Sequence, residues 1–282
     1  MSQLTWRLGL GEKTRAVIIT ADDLGLCHAA NVACFGSLSS GVASSASLLM
    51  PGPWAREAAS RYRGEDVGVS LAITAEHDLL RFGPLTQAPS LLGGDGGFAS
   101  TALDALDHAD LDEVRRECRA QLERAVLWGF NLTHLCAHQG VLLSRPEFFD
   151  IVLELAEEYQ LPLRLPSGAA EAVLGFPART LAQRAGVISP DLTIDTTPNG
   201  LREVLSGLSE RLLEGVTEIV VRPAEPTEEL LAFAEDAAVR IDDLHLLTKE
   251  AGVKAAIRDA GATLIGWRPL LELARRHQDH TS

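Results

Sequence analysis

The sequence predicts an α/β protein built on a mostly parallel sheet, open or closed into a barrel. Short apolar, β-branched runs alternate with amphipathic segments from one end of the chain to the other. No internal repeat, low-complexity tract or linker interrupts them, so a single domain over residues 1–282 is expected. With 46% hydrophobic residues in 282, the chain can bury a full core, and at 5% aromatics that core should rest on Leu, Val, Ile and Ala.

RAVIITADD reads as the first strand, ending at Asp22 and Asp23, and HAANVACFGSLSSG as a helix closed by Gly41. SASLLMP is a second strand, GPWAREAASRY a helix and DVGVSLAIT a third strand. From about Glu76 to Ala109 the chain is irregular, and loops of that length are often lids or binding loops. Within it GGDGGF lacks the Gly-Lys-Ser/Thr ending of a phosphate loop and reads as a turn. DLDEVRRECRAQLERAVLWG is the clearest helix: Asp110 caps it with Glu113 three residues on, and Gly129 ends it. Val114, Cys118, Leu122, Ala125 and Val126 form its apolar stripe, which makes Cys118 a core residue. FNLTHLCAH is the next strand, and SRPEFFDIVLELAEEYQ a helix with Ser144 and Glu147 as a capping box. LPLRLP, GVISPDLTID, TEIVVRP and ATLIGW supply the later strands.

Charge and composition exclude several function classes. A formal charge of −14 argues against nucleic acid, whose phosphates it would repel. There is no polybasic run to meet a membrane surface, and no apolar run reaches the ~18 residues of a membrane span. MSQLTWRLGLGEKTR has no apolar signal region, so a soluble, cytoplasmic protein is expected. The cysteines Cys27, Cys34, Cys118 and Cys136 are too few and scattered for a disulfide framework.

In parallel α/β folds the carboxyl ends of the strands carry the site. That rule collects Asp22 and Asp23 from the first strand, and Ser70, Thr74 and Glu76 from the third. It adds His134, Cys136 and His138 from THLCAHQG, and Arg222 before Pro223. The adjacent aspartates have two readings: a cap for the helix that begins near His28, or a metal ligand beside a base for bound water. In an extended THLCAHQG, His134, Cys136 and His138 share one face. They are metal donors, or an ordinary buried thiol and core imidazoles.

ITADDLGLCHAAN, SSASLLMPGPWAREA, DVGVSLAIT, THLCAHQGVLLSRPEFFD and the closing LIGW together resemble the YdjC/ChbG family of carbohydrate deacetylases, distant relatives of the NodB-type polysaccharide deacetylases. The similarity runs in order over nearly the whole chain. It implies an irregular (β/α) barrel of mostly parallel strands and metal-assisted hydrolysis of an N-acetyl group on an amino sugar. By position it makes Asp22 the base, Asp23 and His138 ligands of a divalent metal such as zinc or magnesium, and Asn31 a substrate-side residue. Three positions depart from the family pattern. Ser70 stands where a second ligand histidine is usual, Cys136 where aspartate is usual, and Arg222 where the histidine of His-Pro is usual. A serine hydroxyl is a poor zinc donor, so metal occupancy is expected to suffer unless Cys136 completes the set as a thiolate. Arg222 would disfavour a cation or replace it as an oxyanion anchor, and Ser70 and Glu76 would face the substrate.

Two functions follow as expectations. One is a divergent deacetylase-like hydrolase on an amino sugar or related small molecule. The other is a non-catalytic pocket for a carbohydrate or acidic metabolite. The resemblance also implies a homodimer.

Overall fold

The protein is seen in a computed structural model that describes residues 3–279. Its sheet has seven strands among the described residues: β1 (Arg15–Leu24), β2 (Ser45–Leu49), β3 (Val67–Leu71), β4 (Leu132–Ala137), β5 (Leu192–Asp195), β6 (Gly215–Val221) and β7 (Ala262–Leu264). All pair in parallel, in the order β4-β3-β2-β1-β6-β5. β6 runs along one edge of β1 from Arg15 to Ala21. The other edge is shared: β7 pairs Arg15–Val17 and β2 pairs Thr20–Leu24. Helices connect successive strands, and β2, β3, β4 and β6 are buried at every residue. That is why these strands read as nearly continuous apolar runs without alternation.

The barrel is half closed. LPLRLP, expected as a strand, makes a single bridge to β4 through Leu163, with Leu135 N–H donating to Pro162 at 2.8 Å and Arg164 N–H to Leu135 at 2.8 Å. Pro162 and Pro166 have no N–H to continue a ladder on either side. The segment still spans the gap between the sheet's two ends, because Thr193 Oγ1 of β5 donates to Leu165 O at 2.9 Å. This closure places Arg164 inside.

Three local expectations need correction. The aspartate pair does not cap the helix His28–Ser40; Cys27 does, its sulfur accepting from Ala30 N–H. Ser144 does not cap the helix Pro146–Glu158, because its hydroxyl is spent on Val141 O and Arg145 sits at the cap without a side-chain bond. Val126 is 52% exposed. It follows Ala125 directly, and one residue along a helix turns the side chain ~100° off the stripe.

The helix Leu111–Leu127 does more than pack. Asp110 caps it as expected, accepting from Asp112 and Glu113 N–H. Glu113 and Glu117 turn to the irregular stretch instead of solvent, and Gln121 to the residue just after β3. Glu117 is fully buried and accepts from Leu85 N–H, Thr86 N–H and Thr86 Oγ1. Glu113 takes Ser90, and Gln121 bonds both N–H and O of Ala72. The long loop is therefore pinned along much of its length, and Gly93–Gly97 forms the expected turn.

Candidate active site at the strand ends

A cavity of about 1160 Å³ opens at the carboxyl ends of the strands. The chain reaches it from β1 by breaking register with β2 between Ala21 and Leu24. Asp23 there adopts φ 67°, a left-handed conformation that costs a non-glycine residue free energy and is borne mostly at functional sites. Both carboxylates thereby line the cavity.

Each aspartate has its own arginine. Arg164 grips Asp22 through two bonds, Nη1 to Oδ2 at 2.7 Å and Nη2 to Oδ1 at 2.9 Å. The same guanidinium bonds Glu218 through Nε at 2.9 Å and Nη2 at 2.7 Å. Glu218, fully buried on β6, also accepts from Thr20 Oγ1 at 2.7 Å. Asp23 is held by Arg240, Nη1 to Oδ2 at 2.7 Å, and Arg240 is braced by Asp236. Burial alone would raise the Asp23 pKa, but Arg240, Arg222 and His138 hold it well below the usual carboxylate range. Arg222 lines the cavity with a two-bond grip on Asp195 at 2.7 and 2.9 Å.

Across from the aspartates, His138 Nε2 meets Glu76 Oε2 at 3.0 Å. Burial pulls the imidazole pKa down, yet the Glu76 hydrogen bond and charge, with Asp23, raise it above its ordinary value. Glu76 is likewise lowered overall despite burial, chiefly by His138.

The remaining sequence candidates lie elsewhere. The expected strand ends one residue short of His138: His134 and Cys136 lie on β4, His138 opens the turn after it, and only His138 lines the cavity. His134 is fully buried, stacks on Trp267 with centroids 4.4 Å apart, and meets Ser47 Oγ at 3.0 Å. Burial holds it neutral. Cys136 is fully buried with its sulfur 3.6 Å from Val69 O, and burial pushes its thiol up to about 11. It does not line the cavity, so its sulfur is not presented to an ion there. Ser70 is buried and does not line the cavity. Asn31 is fully buried and wholly used by the protein: Oδ1 accepts from Gly25 N–H at 2.6 Å, and Nδ2 donates to Trp54 O and Glu57. It shapes the loop after Asp23 and does not line the cavity.

The family's metal does not fit these residues. Of the expected donors, Asp23 is paired with Arg240, His138 with Glu76, and Cys136 is buried outside the cavity lining. Among the described residues no three His, Cys, Asp or Glu side chains are grouped to hold an ion. What the floor does offer is a carboxylate fixed by a guanidinium, an imidazole fixed by a carboxylate, and a second guanidinium from Arg222. Those are the parts of acid–base chemistry with charge stabilisation.

A half-closed parallel barrel with polar, charged side chains gathered at its strand ends defines an α/β-barrel protein with a candidate active site. The profile of the YdjC-like protein family matches residues 16–258, and the chain belongs to that family. A carbohydrate deacetylase from Geobacillus stearothermophilus is 30% identical over 267 residues, 92% of this chain and 99% of that one. One from Thermus thermophilus is 41% identical over 161 residues, covering 57% of this chain and only 56% of the relative. A crystal structure of an Enterococcus faecalis protein, provisionally assigned to cellobiose-phosphate cleavage, superposes with a TM-score of 0.79 at 26% identity, covering 91% of this chain and 99% of that one.

Proposed function

We propose that this chain is a deacetylase-type carbohydrate hydrolase that removes an acyl group from the nitrogen of an amino sugar without the family's metal. The observation that carries the reading is the gathering of Asp22, Asp23, Glu76 and His138 on one cavity floor, each carboxylate hydrogen-bonded to an arginine or a histidine. Asp22, oriented by Arg164, takes a proton from water as the water oxygen bonds to the amide carbonyl carbon. Arg222 meets the charge that develops on the carbonyl oxygen. His138, its pKa raised by the Glu76 hydrogen bond, gives a proton to the nitrogen as the carbon–nitrogen bond breaks, leaving acetate and the free amine. The cavity is acidic, with seven carboxylates against three guanidiniums, which suits an ammonium product and disfavours an acidic metabolite.

The test is acetate release from N-acetylglucosamine and its oligomers. The expected result is release that persists in EDTA and is lost in Asp22→Asn. Release abolished by EDTA and restored by zinc would refute the metal-free chemistry. A second reading, sugar binding without turnover, is favoured by one feature: both Asp22 oxygens are already engaged by Arg164. Calorimetric binding of the same sugars with no acetate released would establish it.

A further inference from the structure

We infer that the substrate is amphipathic: an acylamino sugar on the charged floor, carrying an apolar aglycone that lies along the outer wall. This rests on the carbohydrate reading above and adds the substrate class. The cavity, at about 1160 Å³, exceeds the ~300–1,000 Å³ that accommodates most drug-sized ligands, so one sugar ring leaves most of it empty.

The space beyond the floor is bounded by apolar side chains from three separate segments: Leu79 after β3, Ala170 and Leu174 from the helix Gly168–Leu174, and Ala232 and Phe233 from the helix Glu228–Phe233. Ser167, Ala170 and Leu174 are spaced by three and four residues, so one face of that helix turns to the cavity. Its sequence, GAAEAVL, has one charge, yet none of its residues is buried. In Glu228–Phe233 only Leu230 is buried. Leu79 is 74% exposed while lining the same cavity.

Apolar side chains left in water at a cavity mouth, contributed by three segments and continuous with a polar floor, mark a ligand surface. The wall is also tied to the floor. The Phe233 ring meets His77 edge-on at 4.9 Å, and His77 follows Glu76, the partner of His138. His77 thus stands between the acid–base pair and Phe233, on the way a tail leaving the sugar would take.

The experiment compares the methyl and octyl β-glycosides of N-acetylglucosamine, N,N′-diacetylchitobiose and octyl glucoside by calorimetry, below micelle-forming concentrations. At roughly fourfold per buried methylene, partial burial of the octyl chain predicts about 30-fold tighter binding than the methyl glycoside. Leu79→Ser and Leu174→Ser, which alter residues outside the fold's core, should each remove several-fold of that gain and leave the methyl glycoside unchanged. Equal binding of methyl and octyl glycosides would overturn the inference while leaving the carbohydrate reading intact. A larger gain from the second sugar of the disaccharide would overturn it in favour of an oligosaccharide. An octyl gain indifferent to both serine variants would overturn it as unspecific adsorption, as would octyl glucoside binding as tightly as the acetamido compound. Failure of every acetamido sugar to bind would overturn the carbohydrate reading itself.

Discussion

Replacing Arg164 by methionine tests how the floor is held together. The native guanidinium makes two bonds to Asp22, two to Glu218 and a longer one to Ser47 Oγ at 3.3 Å. Its side chain is 11% exposed, and those of Asp22 and Glu218 are 10% and 0% exposed. Removal leaves the fully buried Glu218 carboxyl supported by the Thr20 hydroxyl alone, while Asp22 loses a partner for both oxygens. Breaking a buried pair from one side typically costs about 3–5 kcal/mol, because the stranded charge keeps its desolvation penalty. Arg164→Met should therefore lose about that much in urea unfolding. Arg164→Lys, which keeps the charge but not the planar fork, should lose about 1–3 kcal/mol. Adding Glu218→Gln to Arg164→Met removes the stranded charge, so the pair should show a coupling energy of about 1–3 kcal/mol. A loss below about 1 kcal/mol for Arg164→Met, with no coupling to Glu218→Gln, would refute the view that one guanidinium holds both carboxylates.

Other outcomes follow from the same geometry. Glu76 is lowered from its ordinary 4.5, so its contribution is present above that value and is lost as pH falls through the folded value. His138 is raised from 6.5, so its contribution is complete below 6.5 and is lost as pH rises through the folded value. Glu76→Gln should therefore cost most stability between about pH 4.5 and 6.5, with the deficit shrinking at higher pH in thermal melts; a constant deficit would contradict the pairing. Asp243, pushed up by burial to about 6, makes stability fall as pH rises from 3.8 through that value. Relative to the wild type, Asp243→Asn should gain about 2–3 kcal/mol between about pH 4 and pH 7, and parallel melting curves would count against it. Gly68→Ala on β3 would drive a methyl group into the His134 ring and its carbonyl. It should cost about 1–3 kcal/mol by overpacking, and an unchanged melting temperature would show that β4 can move away.

Much of the fold was legible because parallel strands buried on both faces leave short apolar runs between amphipathic helices. The aspartate pair, Glu76, His138 and Arg222 were legible as strand-end residues, and all line the cavity. What position alone did not reveal is depth. His134 and Cys136 lie on β4 within the core, and His138, the first residue past the strand end, is the one that reaches the cavity. Asn31 looked available because it follows the aspartates closely, whereas its amide is consumed in holding the loop.

Arg164, Glu218 and Arg240 went unread because their partners lie far away in sequence. The signal was present in two of them: an arginine inside LPLRLP and a glutamate inside TEIVV are single charges in otherwise apolar segments. Such charges must find one another or remain exposed. Arg240 sits within the helix Ala237–Thr248, where a charge is ordinary, and nothing local pointed to Asp23.

The most direct measurement is zinc titration of chelator-treated protein by calorimetry. A floor whose imidazole and carboxylates are already partnered predicts no stoichiometric site, only weak binding indifferent to Asp23→Asn and His138→Gln. One zinc bound per chain with micromolar or tighter affinity, lost in either variant, would contradict the account.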